Sequence, residues 1–179
     1  YAGGTVWGQT DLPVFLGNDH ALGSGTLWLE GVAPIGAADG ARQLSNPISF
    51  AGRGTLSSGV MTVVGTQPLT FSGPVDLNGA ATVSVPIEAP LSLLGTIARG
   101  SLAKQGAGIL YITRARMDAL AISHGSVRLI AGGGTAGTSR VGQLSIAGTL
   151  DNWLSLFDLR DHDLIIDYFG NSSPLSTIA

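Results

Sequence analysis

Short apolar stretches that each close on a glycine recur along the whole chain. Examples are PVFLG, TLWLEG, MTVVG, PLTFSG and LSIAG. Within them apolar residues alternate with other residues, so that Leu69 and Phe71 point to one face of a strand. A glycine at a strand end permits a positive φ and a close approach of the next segment. The pattern predicts an all-β fold with many tight, glycine-rich corners.

The composition supports this prediction. Charged residues make up 12% of the 179 residues and glycine occurs 27 times, about half and about double the usual shares. A chain so poor in Glu and Lys has little to stabilise exposed helices. We therefore expect more than about 40% strand and less than about 8% helix. The one candidate helix is RARMDAL, Arg114 to Leu120, at most a single turn beside a strand.

The strands are too short and too irregularly spaced for a sandwich, whose turns recur about every 8–12 residues. Near-repeats with the core G-x-G-x-L begin at Gly23, Gly52 and Gly106. They favour a parallel β-helix, or β-solenoid, of about eight rungs of roughly 20–25 residues. We expect residues 1–179 to form one such domain. Its inward rows should contain Leu102, Ile109, Tyr111, Leu120, Ile122, Val127, Leu129, Leu144, Ile146, Leu164 and Ile166.

The segment SLAKQGAGILYIT, Ser101 to Thr113, resembles the signature L-x-K-x-G-x-G-x-L-x-L of autotransporter-associated β-strand repeats. The stretch from Asn46 to Gly79 is similar to the region that leads into that signature, and the C-terminal run from Arg140 is similar to the closing segment of large secreted proteins with these repeats. The resemblance covers the chain from Val14 onward. It implies a right-handed β-helix in an exported bacterial protein and supplies no catalytic residues.

Other features bear on where such a chain works. It begins at Tyr1 without an initiator Met, so we expect a processed or excised piece of a longer exported protein, extracellular or at the cell surface. It has no cysteine, and packing must then stabilise it without disulfides. The net charge of −3 and the lone close pair Arg114 and Arg116 argue against nucleic acid. No apolar window is long enough to span a membrane.

A possible nucleotide loop lies in LIAGGGTAGTSRV, where Gly132, Gly134 and Gly137 have the spacing G-x-G-x-x-G. A dinucleotide site needs a helix to begin at the third glycine, because the helix N-terminus receives the pyrophosphate. Here a β-patterned segment follows. We interpret the glycines as a corner between two rungs.

A second motif, AISHG at Ala121 to Gly125, is a degenerate match to the G-x-S-x-G nucleophile elbow. The elbow requires a strand, a sharp turn and a helix. The apolar SVRLI that follows predicts a strand, turn and strand instead.

The third candidate is acidic, the group Asp158, Asp161, Asp163 and Asp167. These carboxylates raise the question of calcium, but the spacing of the known calcium loops is absent. The default interpretation of Asp161–His162–Asp163 is a solvated turn before a strand. We assign no catalytic, cofactor or metal residue to this chain, and we place His20 in a loop.

The aromatic side chains offer two interpretations. They could form a sugar-stacking platform if several shared one exposed face, but their spread along the sequence favours packing in the core or at corners. They are Trp7, Trp28, Trp153, Tyr111, Tyr168 and Phe169.

These observations favour a non-enzymatic structural protein: a surface stalk, adhesin or filament subunit. Its partners would be further copies, end to end, or flanking modules of the same polypeptide. The alternative is a β-helix that binds or cleaves polysaccharide. An enzyme needs convergent carboxylates or a basic residue in a groove, and Lys104 is the sole lysine, placed at a corner. A groove lined by two or more acids and an arginine would favour the enzyme, whereas a flat surface of small residues would favour the structural role.

Overall fold

The computed structural model describes residues 2–8, 11–51, 58–132, 137–149 and 151–168. Strands account for 57% of these residues, and none of them lies in a helix, in agreement with the expected all-β class. The strands are β1 (Thr5–Gly8), β2 (Val14–Leu16), β3 (Leu27–Ala37), β4 (Arg42–Leu44), β5 (Ile48–Ser49), β6 (Gly59–Val63), β7 (Leu69–Phe71), β8 (Val75–Ser84), β9 (Leu91–Leu93), β10 (Ile97–Gln105), β11 (Ile109–Ile112), β12 (Arg116–Ile122), β13 (Gly125–Leu129), β14 (Ser139–Ile146), β15 (Gly148–Thr149), β16 (Asn152–Trp153), β17 (Ser155–Asp158) and β18 (Leu164–Ile166).

Two parallel sheets contain almost all of these strands. The larger sheet has ten strands in the order β1-β3-β5-β8-β10-β12-β14-β18, with β2 beside β3 and with β6 between β3 and β8. The smaller sheet has six strands in the order β17-β13-β11-β9-β7-β4. Only the β15–β16 hairpin is antiparallel among the described strands.

The chain alternates between the two sheets. From β8 it crosses to β9, returns as β10, crosses to β11 and returns as β12, and each return lies beside the strand before it. Such stacking of parallel strands is β-helix-like. The rungs vary more in length than the expected 20–25 residues. Leu110 pairs with Val127, 17 positions on, whereas Val127 pairs with Phe157, 30 positions on, because the longer rung also carries the glycine-rich loop and the hairpin.

The core lies between the sheets and is built from in-register columns. Leu69, Leu91, Leu110 and Val127 form one such column in the smaller sheet, and all four side chains are fully buried. The columns continue from rung to rung, so that one apolar core extends along the described chain.

The expected inward rows are correct for some strands and wrong for others. Leu102, Leu120, Ile122, Val127, Leu129 and Leu144 are buried as predicted. In β11 the prediction was wrong by one residue: Leu110 and Ile112 face the core, whereas Ile109 and Tyr111 are half-buried on the other face. Ile146, Leu164 and Ile166 pack against the core but are only partly buried.

The candidate helix at Arg114 to Leu120 was also wrong. Residues from Arg116 onward form β12, which pairs with β10 on one side and β14 on the other. Met117, Leu120 and Ile122 are its buried residues. The two ladders fix this segment as a strand, whatever its local helix propensity.

Backbones stack closely at the corner that precedes the larger sheet. A Cβ at Gly25 would overlap the backbone of Gly3, and a Cβ at Gly73 would overlap that of Asn46. A Cβ at Gly95 would in turn overlap Gly73. The side chain of Asn46, which is buried in this column, donates from Nδ2 to the carbonyls of Gly23 and Gly25 at 3.1 and 2.7 Å. Glycine is required at these three corner positions, because the neighbouring backbone leaves no room for a Cβ atom.

A second type of corner bends the long strands of the larger sheet. Gly79 in β8 and Gly100 in β10 are register partners and have φ values of 113° and 127°. Each follows a residue in the left-handed region, Asn78 at 41° and Arg99 at 58°. The register between β8 and β10 shifts at this bend, and Arg99 is exposed there.

We expect Gly95→Ala to lower the free energy of unfolding by roughly 1–3 kcal/mol, because the added methyl group would meet the Gly73 backbone. The matched control is Gly17→Ala, where a Cβ would have no atom within 4 Å. That variant should be unchanged or slightly more stable, since alanine restricts the unfolded chain. Urea denaturation measures both. Equal stability of the two variants would contradict the stacked corner.

Candidate functional site

One inward column of the larger sheet contains a charged residue. Met61, Val83, Lys104 and Ile122 follow one another in register, and all four side chains are buried, Lys104 with 0% exposure. The aliphatic part of Lys104 therefore takes the place of a core residue. The predicted corner position of Lys104 was wrong, because the residue lies within β10, and only its ammonium group reaches the corner beyond the strand.

The Lys104 ammonium connects two successive corners. Nζ donates to the carbonyls of Gln105 and Gly106, both at 2.7 Å, and to that of His124 at 3.2 Å. The first two acceptors lie in the corner after β10 and the third lies in the corner after β12. Burial lowers the pKa of Lys104 to about 8, because the charged form loses its water on entering the core.

A second buried titratable group contacts the residues that flank the glycine-rich loop. His162 lies just before β18 and is 8% exposed. Its Nδ1 is 2.8 Å from the carbonyl oxygen of Gly137, and its Nε2 is 2.8 Å from that of Ile130. These two carbonyls flank the loop. Since a carbonyl oxygen only accepts, the two contacts are both hydrogen bonds when both ring nitrogens carry a proton, so they favour the imidazolium form.

The surroundings of His162 agree with this charge. Its pKa is raised, chiefly by the hydrogen bond to Gly137, with further contributions from the Ile130 carbonyl and from Asp161 and Asp163. The Asp161 carboxylate is 3.7 Å from Nε2 and accepts from the backbone N–H of Gly132, which lowers the pKa of Asp161. The sequence interpretation of this segment as a solvated turn missed the buried imidazole.

The glycine-rich loop connects two strands. It follows β13 and leads into β14, so the segment after Gly137 is a strand, which supports the corner interpretation. Gly132 has a φ of 102°, and a Cβ at Gly137 would meet the His162 ring at 2.6 Å. Gly134 lies outside the described residues.

The structure also shows where the AISHG motif and His20 lie. AISHG spans the end of β12, a turn at Ser123 and His124, and the start of β13, which confirms the strand, turn and strand. His20 is exposed in a turn, as expected.

The acidic residues have separate partners in the described structure. Asp158 pairs with Arg128 at 2.8 Å and with Arg160 at 3.7 Å, while Asp161 binds Gly132. No three His, Asp or Glu side chains in the described part of the chain form a group that could hold a metal ion.

An outer groove crosses the rungs on the outward face of the larger sheet. Register partners place Trp28 beside Ser49 and Ser49 beside Asp76. Further along, Arg116 lies beside Arg140. Two adjoining hollows of about 390 and 340 Å³ share Arg99. We define the outer groove by Trp28, Ser49, Asp76, Ala98, Arg99, Arg116, Asp118, Arg140 and Asp167.

Ion pairs between neighbouring rungs lie along this groove. Arg99 pairs with Asp76, and Arg140 pairs with Asp167. Arg116 and Asp118 are exposed on the same strand, and neither has an ion pair among the described residues. At its other end, the groove is bounded by the Trp28 indole, which packs so closely on Gly4 that a Cβ there would overlap it.

None of the five described aromatic side chains of the candidate platform is fully buried, although Trp7 packs against the core. Trp7, Trp28 and Tyr111 are half-buried, and Trp153 and Tyr168 are 46% and 44% exposed. The core between the sheets is filled mostly by leucine, isoleucine and valine together with the rings of Phe50 and Phe71, both 0% exposed. Phe169 lies outside the described residues.

Comparisons with protein-family models, with curated proteins and with solved structures found no match to this chain. In the described residues, no helix has the length and apolar character needed to cross a bilayer.

We expect the stability of the protein to rise with pH between about 8, the lowered pKa of folded Lys104, and about 10.4, the pKa of an unfolded lysine. In this window the unfolded state binds more protons than the folded state. The gain should be roughly 3 kcal/mol, since one pKa unit corresponds to about 1.36 kcal/mol. Lys104→Met, which keeps the aliphatic column, should remove this gain. Urea denaturation at several pH values tests it, and a flat wild-type profile would show that the ammonium is solvated.

His162 should give the opposite pH dependence. Its folded pKa is raised, so its contribution is fully present below about pH 6.5, the unfolded value, and is lost as the pH rises through the folded pKa. Thermal melting across this range should show the loss in the wild type and not in His162→Gln. The control His20→Gln alters an exposed turn and should behave as the wild type does. The assignment fails if His162→Gln keeps the wild-type profile.

Proposed function

We propose that this chain is a non-enzymatic, extracellular structural protein, a surface stalk, adhesin or filament subunit built as a right-handed parallel β-helix. The observation that supports the proposal is the series of parallel ladders from β1 to β18, with one apolar core inside them. Rungs that bond through their main chains along such a stack resist bending and stretching. Connections between parallel strands of a sheet are almost always right-handed.

The outermost strands of the two sheets support end-to-end association with further rungs, from another copy or from flanking modules. Among the described strands, β1 and β18 each pair on one side only. The same holds for β4 and β17 in the smaller sheet. Exposed apolar side chains accompany these edges: Phe15 near one end is 49% exposed, and Leu156 and Ile165 near the other are each 52% exposed. Further rungs, from flanking modules or from another copy, would satisfy the free backbone groups.

Export and a cell-surface location rest on the resemblance of Ser101–Thr113 to autotransporter-associated repeats.

The polysaccharide alternative has one observation in its favour. The outer groove is lined by three arginines and by the carboxylates of Asp118 and Asp167, and this is the lining that was expected to favour an enzyme. Because Arg140 holds the Asp167 carboxylate, the groove favours binding over cleavage.

We expect the mass of the protein in solution to rise above 18.2 kDa as its concentration increases, because a head-to-tail contact between end rungs propagates without closing. Ile165→Lys places a charge on the last described strand, where lysine normally prevents edge pairing, and should hold the protein as a monomer. Light scattering coupled to size exclusion measures this.

The control for Ile165→Lys is Ile87→Lys, an equally apolar side chain, 70% exposed, in the corner between β8 and β9. It should associate as the wild type does. If the wild type stays monomeric at every concentration, self-association is excluded. Flanking modules of the same polypeptide would then be the partners that pair with the end rungs.

A further inference from the structure

The outer groove combines the two kinds of side chain that recognise sugars. The Trp28 indole offers an apolar ring for stacking against the C–H face of a hexose. The carboxylate and guanidinium groups that follow it offer planar sets of acceptors and donors for neighbouring hydroxyls. The pairs Arg99–Asp76 and Arg140–Asp167 are well exposed, with the arginine side chains 74% and 65% accessible. Ion pairs at such positions are weak, so hydroxyl groups can compete for them.

The charge of the groove distinguishes among sugars. Three arginines, Arg99, Arg116 and Arg140, face three aspartates, Asp76, Asp118 and Asp167. The groove is therefore neutral and does not attract a polyanion from a distance. A neutral groove rich in hydrogen-bonding groups fits an uncharged polyhydroxyl chain.

The length of the groove indicates a polymer. It runs across the seven neighbouring strands from β3 to β18, about 4.8 Å apart. This step is close to the length of one hexose in an extended chain. Residues from successive rungs can thus meet successive sugars.

We propose that the outer groove binds an extended, uncharged polysaccharide. Trp28 stacks on one sugar ring, and Arg116 with its neighbours in the groove binds hydroxyls further along the chain. This binding site is separate from the proposed structural role, which rests on the ladders and their edges.

The test is binding to defined hexasaccharides of the cello-, laminari-, xylo-, manno- and malto- series, with oligogalacturonate as the acidic probe, by glycan array and then by calorimetry. We expect at least one neutral hexasaccharide to bind, with an affinity little changed by salt. Trp28→Ala should weaken this binding about tenfold or more. Trp153→Ala, which removes an exposed tryptophan of the β15–β16 hairpin, should not.

A second pair of variants tests the groove without removing Trp28 from its contact with Gly4. Ala98→Tyr fills the floor of the groove, and Ala103→Tyr adds the same side chain to the other half of β10. Both alanines are half-buried on the outward face. We expect Ala98→Tyr alone to abolish binding, with both variants melting as the wild type does.

Three outcomes would overturn the proposal: no binding of any neutral hexasaccharide, binding confined to oligogalacturonate, or binding that Ala98→Tyr leaves intact. If Trp28→Ala does not fold, the comparison of Ala98→Tyr with its control Ala103→Tyr tests the proposal instead.

Discussion

The close stacking of corner backbones determines what the rest of the chain can do. At the corner before the larger sheet, the carbonyl of Gly73 lies where a Cβ of Gly95 would be, and Gly25 stands in the same relation to Gly3. Corners packed this tightly bring successive strands into register, and the register in turn aligns Leu69, Leu91 and Leu110 into a column. The core is thus a consequence of the corners as much as of hydrophobic burial.

Corners also leave backbone carbonyls that no ladder pairs, and the side chains of Lys104 and His162 donate hydrogen bonds to some of them. Backbone carbonyls that leave a ladder at a corner need donors, since an unpaired buried carbonyl costs free energy. Lys104 supplies donors to two successive corners, and His162 supplies them to both ends of the glycine-rich loop. The two side chains respond to pH in opposite ways. Burial disfavours the charge on Lys104, whereas carbonyl contacts favour the charge on His162.

The all-β class and the corner glycines were predictable because both depend on local residue type. The face of β11 was not, because all four residues of ILYI favour a strand interior and the alternation that shows the inward side is missing. His162 was hidden between two aspartates, although Lys104 had a signal: it lies two residues after Leu102, on the inward face. The outer groove could not be predicted, because its residues come from six strands and from the position after β18 and meet only once the register is known.

The buried position of Lys104 has a chemical consequence for the outside of the molecule. It is the single lysine among the 179 residues, and its side chain is fully enclosed. The folded chain therefore presents no lysine amine to its surroundings. Reagents that acylate or cross-link lysine side chains therefore find no accessible lysine until the rungs separate. The permanently charged cationic side chains on the described surface are therefore arginines, which form hydrogen bonds but lack the nucleophilic amine of lysine.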